Sequence, residues 1–239
     1  MPIVAATILL AVVAASTPSA QQFNALTPVE KAAGWRLLFD GRSLTGWHAF
    51  GKSGAGAPGK AQGWDIVDGT LIAMGKGTDS TDDIVTDDEF GNFELVADWK
   101  VGPQANSGIF YGVVEQGTKA IYETGPEYQL IDEDGWPDKL EDWQKNGADY
   151  AMHPPKVKSA KPAGQWNHTR ILVNGTHVQL FLNGAATADF ERWTPEWEQL
   201  KKTGKWKDYP KYGVAKSGRI GLQNHGNVVT FRDIKILKR

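Results

Sequence analysis

"GQWNHTRILVNGTHVQLFLNGAATADF", Gly164 to Phe190, decides the fold class. Thr169 to Val173 reads as one strand and His177 to Leu182 as a second, with a short edge piece after them. The Asn-Gly pairs between them favour tight hairpin reversals, so the segment is a meander with no room for a helix. Outward from it, the same rhythm continues. In "GNFELVADWKVG", Phe93, Leu95, Ala97 and Trp99 share one face, against Glu94, Val96, Asp98 and Lys100. "WDIVDGTLIAM" is a hairpin around Asp-Gly, and "SGRIGLQNHGNVVTFRDIKILKR" gives two strands about a His-Gly turn. "TPEWEQLKK" offers one helix start, with Thr194 as cap and Pro195 at the first helical position. About ten short strands, one short helix and no βαβ rhythm predict an all-β sandwich or jelly roll of antiparallel sheets.

The bulk numbers narrow the function. The chain has 239 residues, a formal charge of −2 and no cysteine, so packing alone must stabilise it. Lys and Arg are dispersed, which excludes a nucleic-acid-tracking surface. The Gly-rich stretch "GKSGAGAPGKAQG" lacks the strand-before, helix-after context of a phosphate loop and reads as a surface loop. Residues 3–15 are uncharged and mostly apolar, too short to span a bilayer comfortably, and "TPSA" ends in a cleavage signal after Ala20. The expected organisation is a signal peptide (1–20), an N-terminal segment (21–33) and one sandwich domain (34–239). The protein is then periplasmic or extracellular, with no stable membrane insertion once the signal is removed. Ten tryptophans, six tyrosines and nine phenylalanines serve either a core or stacking platforms for sugar rings.

One strand is unusual. "GPEYQLIDEDG" (Gly125 to Gly135) sets Glu127, Gln129 and Ile131 on one face, and Tyr128, Leu130 and Asp132 on the other. In the penultimate strand, Gln223 and His225 share a face with Gly221, and in "NSGIFY" Gly108 shares one with Asn106 and Phe110. Acid, amides and imidazole with glycines beside them make a face suited to a hydroxyl-rich ligand. The competing reading is an ordinary solvent-facing surface.

Several motifs together carry a family likeness. "GWRLLFDGRSLTGWHAF", "ANSGIFYG", "GPEYQLIDED", "ADYAMHPPKVKSAKPAGQWNHTRILVNGTHVQLFLNG" and "SGRIGLQNHGNVVTFRDIKI" occur in this order. The set resembles the 3-keto-disaccharide hydrolase domain family over Gly34 to Leu237. The resemblance implies a concanavalin-like β-sandwich, an exported bacterial protein, and cleavage of glycosides whose C3 hydroxyl is already a ketone. It implies an upstream dehydrogenase that oxidises C3. It maps site residues onto Glu127, Gln129 and Asp132, onto Gln223, His225 and Gly226, and onto Tyr150, His153 and Pro154. Tyr111 and Gly112 stand where many relatives place an arginine, so Lys156 is a candidate replacement cation.

The chemistry follows from the ketone, which acidifies the C2 proton. A base removes it, the enolate expels the C1 substituent, and water adds back. Glu127 and His225 are the expected catalytic pair, with the roles of base and acid open between them. Gln129, Asp132, Gln223, Tyr111, His153 and Lys156 are the expected substrate contacts. Two carboxylates flanking C1 would mark ordinary hydrolysis, but Glu127 and Asp132 point to opposite faces of a regular strand. Glu127, His225, Asp132 and His153 leave room for a divalent ion, although no tight ligand spacing calls for one. A carbohydrate-binding module using the same face is the alternative.

Overall fold

The computed structural model describes residues 23–52, 61–74 and 82–239. The expected signal peptide and much of the Gly-rich loop lie outside these residues. In chain order the elements are α1 (Pro28–Ala33), β1 (Arg36–Leu37), β2 (Trp47–Ala49), β3 (Trp64–Val67), β4 (Thr70–Met74), β5 (Ile84–Phe90), β6 (Phe93–Val101) and β7 (Asn106–Val113). Then follow β8 (Glu127–Ile131), β9 (Asn167–Asn174), β10 (His177–Leu182), β11 (Ala185–Glu191), α2 (Pro195–Thr203), β12 (Gly218–Leu222) and β13 (Val228–Lys238).

Two antiparallel sheets result. One runs β11-β10-β9-β6-β13-β4-β3, with β1 also paired to β13; the other runs β2-β5-β12-β7-β8. The meander from β9 to β11 is observed, as is the β3–β4 hairpin. Its turn residues Asp68 and Gly69 both take positive φ, 49° and 74°, as a type I′ reversal requires. Asn183 and Gly184 do the same between β10 and β11.

Alternation decides which side chains reach the core. On β6, Phe93, Leu95, Ala97 and Trp99 are buried between the sheets, while Glu94, Val96, Asp98 and Lys100 are only half-buried. Burying each large apolar side chain contributes about 1.5–3 kcal/mol. Trp99 also donates its indole N–H to Thr169 Oγ1 at 2.7 Å, so its one polar atom is satisfied. On the other sheet, Ile109 and Tyr111 of β7, Tyr128 and Leu130 of β8, and Ile220 and Leu222 of β12 point into the same core. Tyr128 reaches across it and donates its hydroxyl to the Phe181 carbonyl at 3.1 Å.

The start of α2 follows the sequence reading: the Thr194 hydroxyl accepts from the Trp197 N–H at 3.2 Å, with Pro195 first in the helix. A second helix, α1, was not expected. Its signal is present in the chain, since Thr27 and Glu30 form a capping box in which each side chain takes the other's backbone N–H.

The polar face of β8 is not an open, solvent-facing surface. All five residues of β8 are buried. The irregular stretch after β8 pairs with it, through the Tyr150 N–H to the Glu127 carbonyl (2.9 Å) and the Gln129 N–H to the Ala148 carbonyl (3.1 Å). A 3-10 turn after α2, Lys205–Asp208, brings Trp206 against the same region. Among the described residues, no helix is long and apolar enough to cross a membrane.

Candidate active site

The covering segments leave a cleft over this face, with a volume of about 320 Å³. Small-molecule sites begin at roughly this size. Its floor is sheet: Asn106 from β7, Glu127 and Gln129 from β8, and Gln223 just beyond β12. Tyr122, Tyr150, Lys205, Trp206, Tyr209 and His225 complete it.

Glu127 is 5% exposed. Burial pushes its carboxyl up to about 8; the Lys205 charge opposes this, while Asp83 and Asp149 add to it. The position exists because Gly108 lies next to it on β7. A methyl group there would come within 2.7 Å of Glu127 Cγ and 2.9 Å of Cδ. Gln129 donates to Asn106 Oδ1 at 3.2 Å. The Oε1 atoms of Gln129 and Gln223 are buried and accept no hydrogen bond from protein. Each is an acceptor waiting for a donor, as a sugar hydroxyl supplies.

His225 is exposed at the rim, on the loop between β12 and β13. Asp83 sets that loop: its Oδ1 accepts the Asn224 N–H at 2.9 Å, and the Asn224 amide donates to the Gly63 carbonyl at 2.8 Å. Burial raises the Asp83 carboxyl to about 6, against the lowering effect of the Asn224 N–H.

The aromatic wall is mostly tyrosine. Trp99, Trp197 and Trp206 are fully buried. Trp197, Tyr212 and Trp206 stack in series, at 6.0 and 4.2 Å between centroids with planes 10° apart. Trp206 then presents an edge to Tyr209 and Tyr150, and Tyr209 meets Tyr122 edge-on at 5.6 Å.

Of the residues singled out in the sequence, Glu127, Gln129, Tyr150, Gln223 and His225 converge here. Asp132, Tyr111, His153, Pro154, Lys156 and Gly226 do not line the cleft. Asp132 uses its carboxylate on backbone, accepting from the N–H groups of Gln104 (2.8 Å) and Gly135 (3.1 Å), so it shapes a turn. Tyr111 is 1% exposed and lies in the inter-sheet core, on the face opposite Phe110. His153 stacks on Phe190 at 4.1 Å and pairs with buried Asp149 at 2.9 Å. Lys156 lines a separate mixed-charge groove with Glu133, Asp138 and Lys145. Gly221 leaves room for Ile121 and not for a ligand. Among the described residues no group of three or more His, Asp or Glu side chains gathers as a metal site, and Glu127, His225, Asp132 and His153 are not brought together.

Asn106, Tyr122, Lys205, Trp206, Tyr209 and Asp83 were not singled out as site residues from the sequence. Lys205 matters most: its ammonium donates to Tyr150 Oη at 3.1 Å and lies 4.2 Å over that ring.

Comparison with known proteins bears on the family and the fold. Residues 34–237 match the 3-keto-alpha-glucoside-1,2-lyase-like domain. A 3-keto-disaccharide hydrolase of Bacteroides thetaiotaomicron is 32% identical, over 92% of this chain and 83% of that protein. A crystal structure of a glycosyl-hydrolase candidate from Parabacteroides distasonis is 40% identical with a TM-score of 0.83, covering 91% of this chain and all of that one. A second structure from the same organism, 24% identical with a TM-score of 0.63, shares the fold.

Proposed function

The chain belongs to the 3-keto-alpha-glucoside-1,2-lyase-like family, enzymes of the 3-keto-disaccharide hydrolase or lyase type, and from that membership we propose a route by which it cleaves 3-keto-glycosides. Glu127 is the base. It takes the C2 proton, and the C2–H electrons pass into the ketone as an enolate. The enolate re-forms the C3 carbonyl, makes the C1–C2 double bond and expels the C1 oxygen. His225, at the rim, gives that oxygen its proton. Water then adds at C1, returning a proton to His225, and Glu127 returns one to C2.

The observation that supports this assignment is the burial of Glu127 at the cleft floor with a carboxyl raised to about 8. A base tuned near the working pH is matched to a carbon acid made labile by a neighbouring ketone, and an ordinary exposed carboxylate is too weak. The buried Gln129 and Gln223 acceptors suit the ring hydroxyls. The C3 ketone has to come from oxidation of a hydroxyl, so a glycoside-3-oxidising dehydrogenase acts upstream. Export by the residue 1–20 signal places the reaction in the periplasm or outside the cell; mass measurement of protein from its host tests this, with a chain beginning at Gln21 as the expected result.

The mechanistic test is turnover of a 3-keto glucoside in deuterated water. Elimination and hydration put deuterium at C2 of the early product, measured against the exchange of product alone. Retention of the original C2 hydrogen would defeat the route. Tight binding of unoxidised disaccharide with no turnover of either sugar would instead favour a binding module.

A further inference from the structure

The reaction needs a positive group at the C3 oxygen, and the sequence offered Lys156, which lies in another groove. Among the described residues that line the cleft, Lys205 is the single lysine or arginine. We propose that Lys205, braced by Tyr150, receives the ketone oxygen and holds the enolate, while the Gln129 and Gln223 Oε1 atoms receive hydroxyls of the same ring. This rests on the route above and adds the group that reads the ketone.

Three observations carry it. Lys205 forms no salt bridge among the described residues; its one protein hydrogen bond, at 3.1 Å, goes to a neutral phenol. An ammonium has three donors, so two remain for a ligand. It is also fixed in place: Nζ lies 4.2 Å over the Tyr150 ring and 5.3 Å over Trp206, contacts that orient a cation without cancelling its charge. Finally, the cleft offers two kinds of partner. The floor carries the buried Gln129 and Gln223 Oε1 acceptors, which no protein donor reaches, and the wall carries a donor-only cation. A ketone can only accept, and an enolate oxygen accepts more strongly, so it belongs at Lys205. Hydroxyls can donate and belong at the amide oxygens. Placed so, the cation meets charge that develops as the C2 proton leaves, which is where a donor accelerates reaction.

The test compares wild type with Lys205→Met and Lys205→Arg on a 3-keto-disaccharide and its unoxidised parent. Lys205 is exposed at the mouth, so Lys205→Met should fold, which circular dichroism checks. Its kcat on the oxidised sugar should fall about 10²–10³-fold, the usual effect of losing one donor to a developing oxyanion. Solvent deuterium entry at C2 should fall in step, while affinity for the unoxidised parent stays within about threefold of wild type. Lys205→Arg should recover part of the loss, and Tyr150→Phe should give a smaller one. An undiminished kcat in Lys205→Met, or equal loss of affinity for both sugars, overturns the assignment while leaving the wider route intact. A wild-type protein that cleaves no oxidised sugar removes the route and this assignment together.

Discussion

Glu127 occupies space that only a glycine at position 108 leaves free. The two residues sit on adjacent strands, and the carboxylate folds back over the Gly108 Cα. Gly108→Ala would place a methyl 2.7 Å from Glu127 Cγ. The carboxylate can swing away because it faces the cleft. We expect a stability loss of about 1–3 kcal/mol, as for other overpacked sites, with kcat down more than tenfold. Urea unfolding and turnover on a 3-keto glucoside measure the two separately. Wild-type kcat in this variant would show that the position of Glu127 does not limit the chemistry.

The burial of Glu127 also sets a pH dependence. Its carboxyl is raised to about 8, so the base form grows as pH rises toward and through 8, and kcat/KM should climb over that range. The Lys205 charge lowers this value. Lys205→Met should therefore displace the ascending limb to higher pH, in addition to lowering its plateau. Asp149 acts in the opposite sense, so Asp149→Asn should displace it to lower pH. Identical limbs in all three proteins would mean that the limb reports another group.

The same shift is a statement about stability. The folded state holds the Glu127 proton more tightly than the unfolded chain, so between about 4.5 and 8 the native state binds more protons and its stability falls as pH rises. Glu127→Gln removes this loss. The variant should be inactive, match or fall slightly below wild type near pH 4, and exceed it in melting temperature near pH 9. Equal thermal shifts at both pH values would show that Glu127 is not titrating in the buried setting.

Much of this arrangement was legible in the chain, for local reasons. Period-two patterning and Asp-Gly or Asn-Gly reversals are short-range, so the sandwich, the β9–β11 meander and the face shared by Glu127 and Gln129 could be read directly. The second wall of the cleft could not. Lys205, Trp206 and Tyr209 approach β8 from about 80 residues further along the chain, and nothing local in "GKWKDYP" separates Lys205 from its neighbours. Asp132 lies outside the cleft lining, and a signal for its turn is present in the chain: Gly135, three residues later, marks the turn that its carboxylate closes.

Asp132 should accordingly behave as a structural residue. Asp132→Ala leaves the N–H groups of Gln104 and Gly135 without their acceptor. Hydrogen bonds to a charged group are worth about 1.5–3 kcal/mol each, and water can replace part of them here, so a total loss of about 2–3 kcal/mol is expected. The folded fraction should keep its kcat. A tenfold drop in kcat with unchanged stability would return Asp132 to the site.

His153 and Lys156 give the sharpest contrast, because the sequence named both as substrate contacts and the structure separates their roles. Lys156 lies at an open groove, and Lys156→Ala should alter neither kcat nor stability by a measurable amount. His153 is the hydrogen-bonding partner of Asp149, which is 1% exposed. His153→Phe preserves the stack on Phe190 but leaves that carboxylate unpaired in a buried setting. Breaking a buried pair in this way costs about 3–5 kcal/mol. Asp149 can take up a proton instead, its carboxyl being already raised by burial, which makes the lower figure the better expectation and places the largest loss at high pH. Removing the Asp149 charge by that protonation would in turn lower the Glu127 value, so the variant should show reduced urea resistance together with an ascending kcat/KM limb displaced to lower pH. A His153→Phe protein that is fully stable but has lost kcat would overturn this separation and put His153 at the sugar.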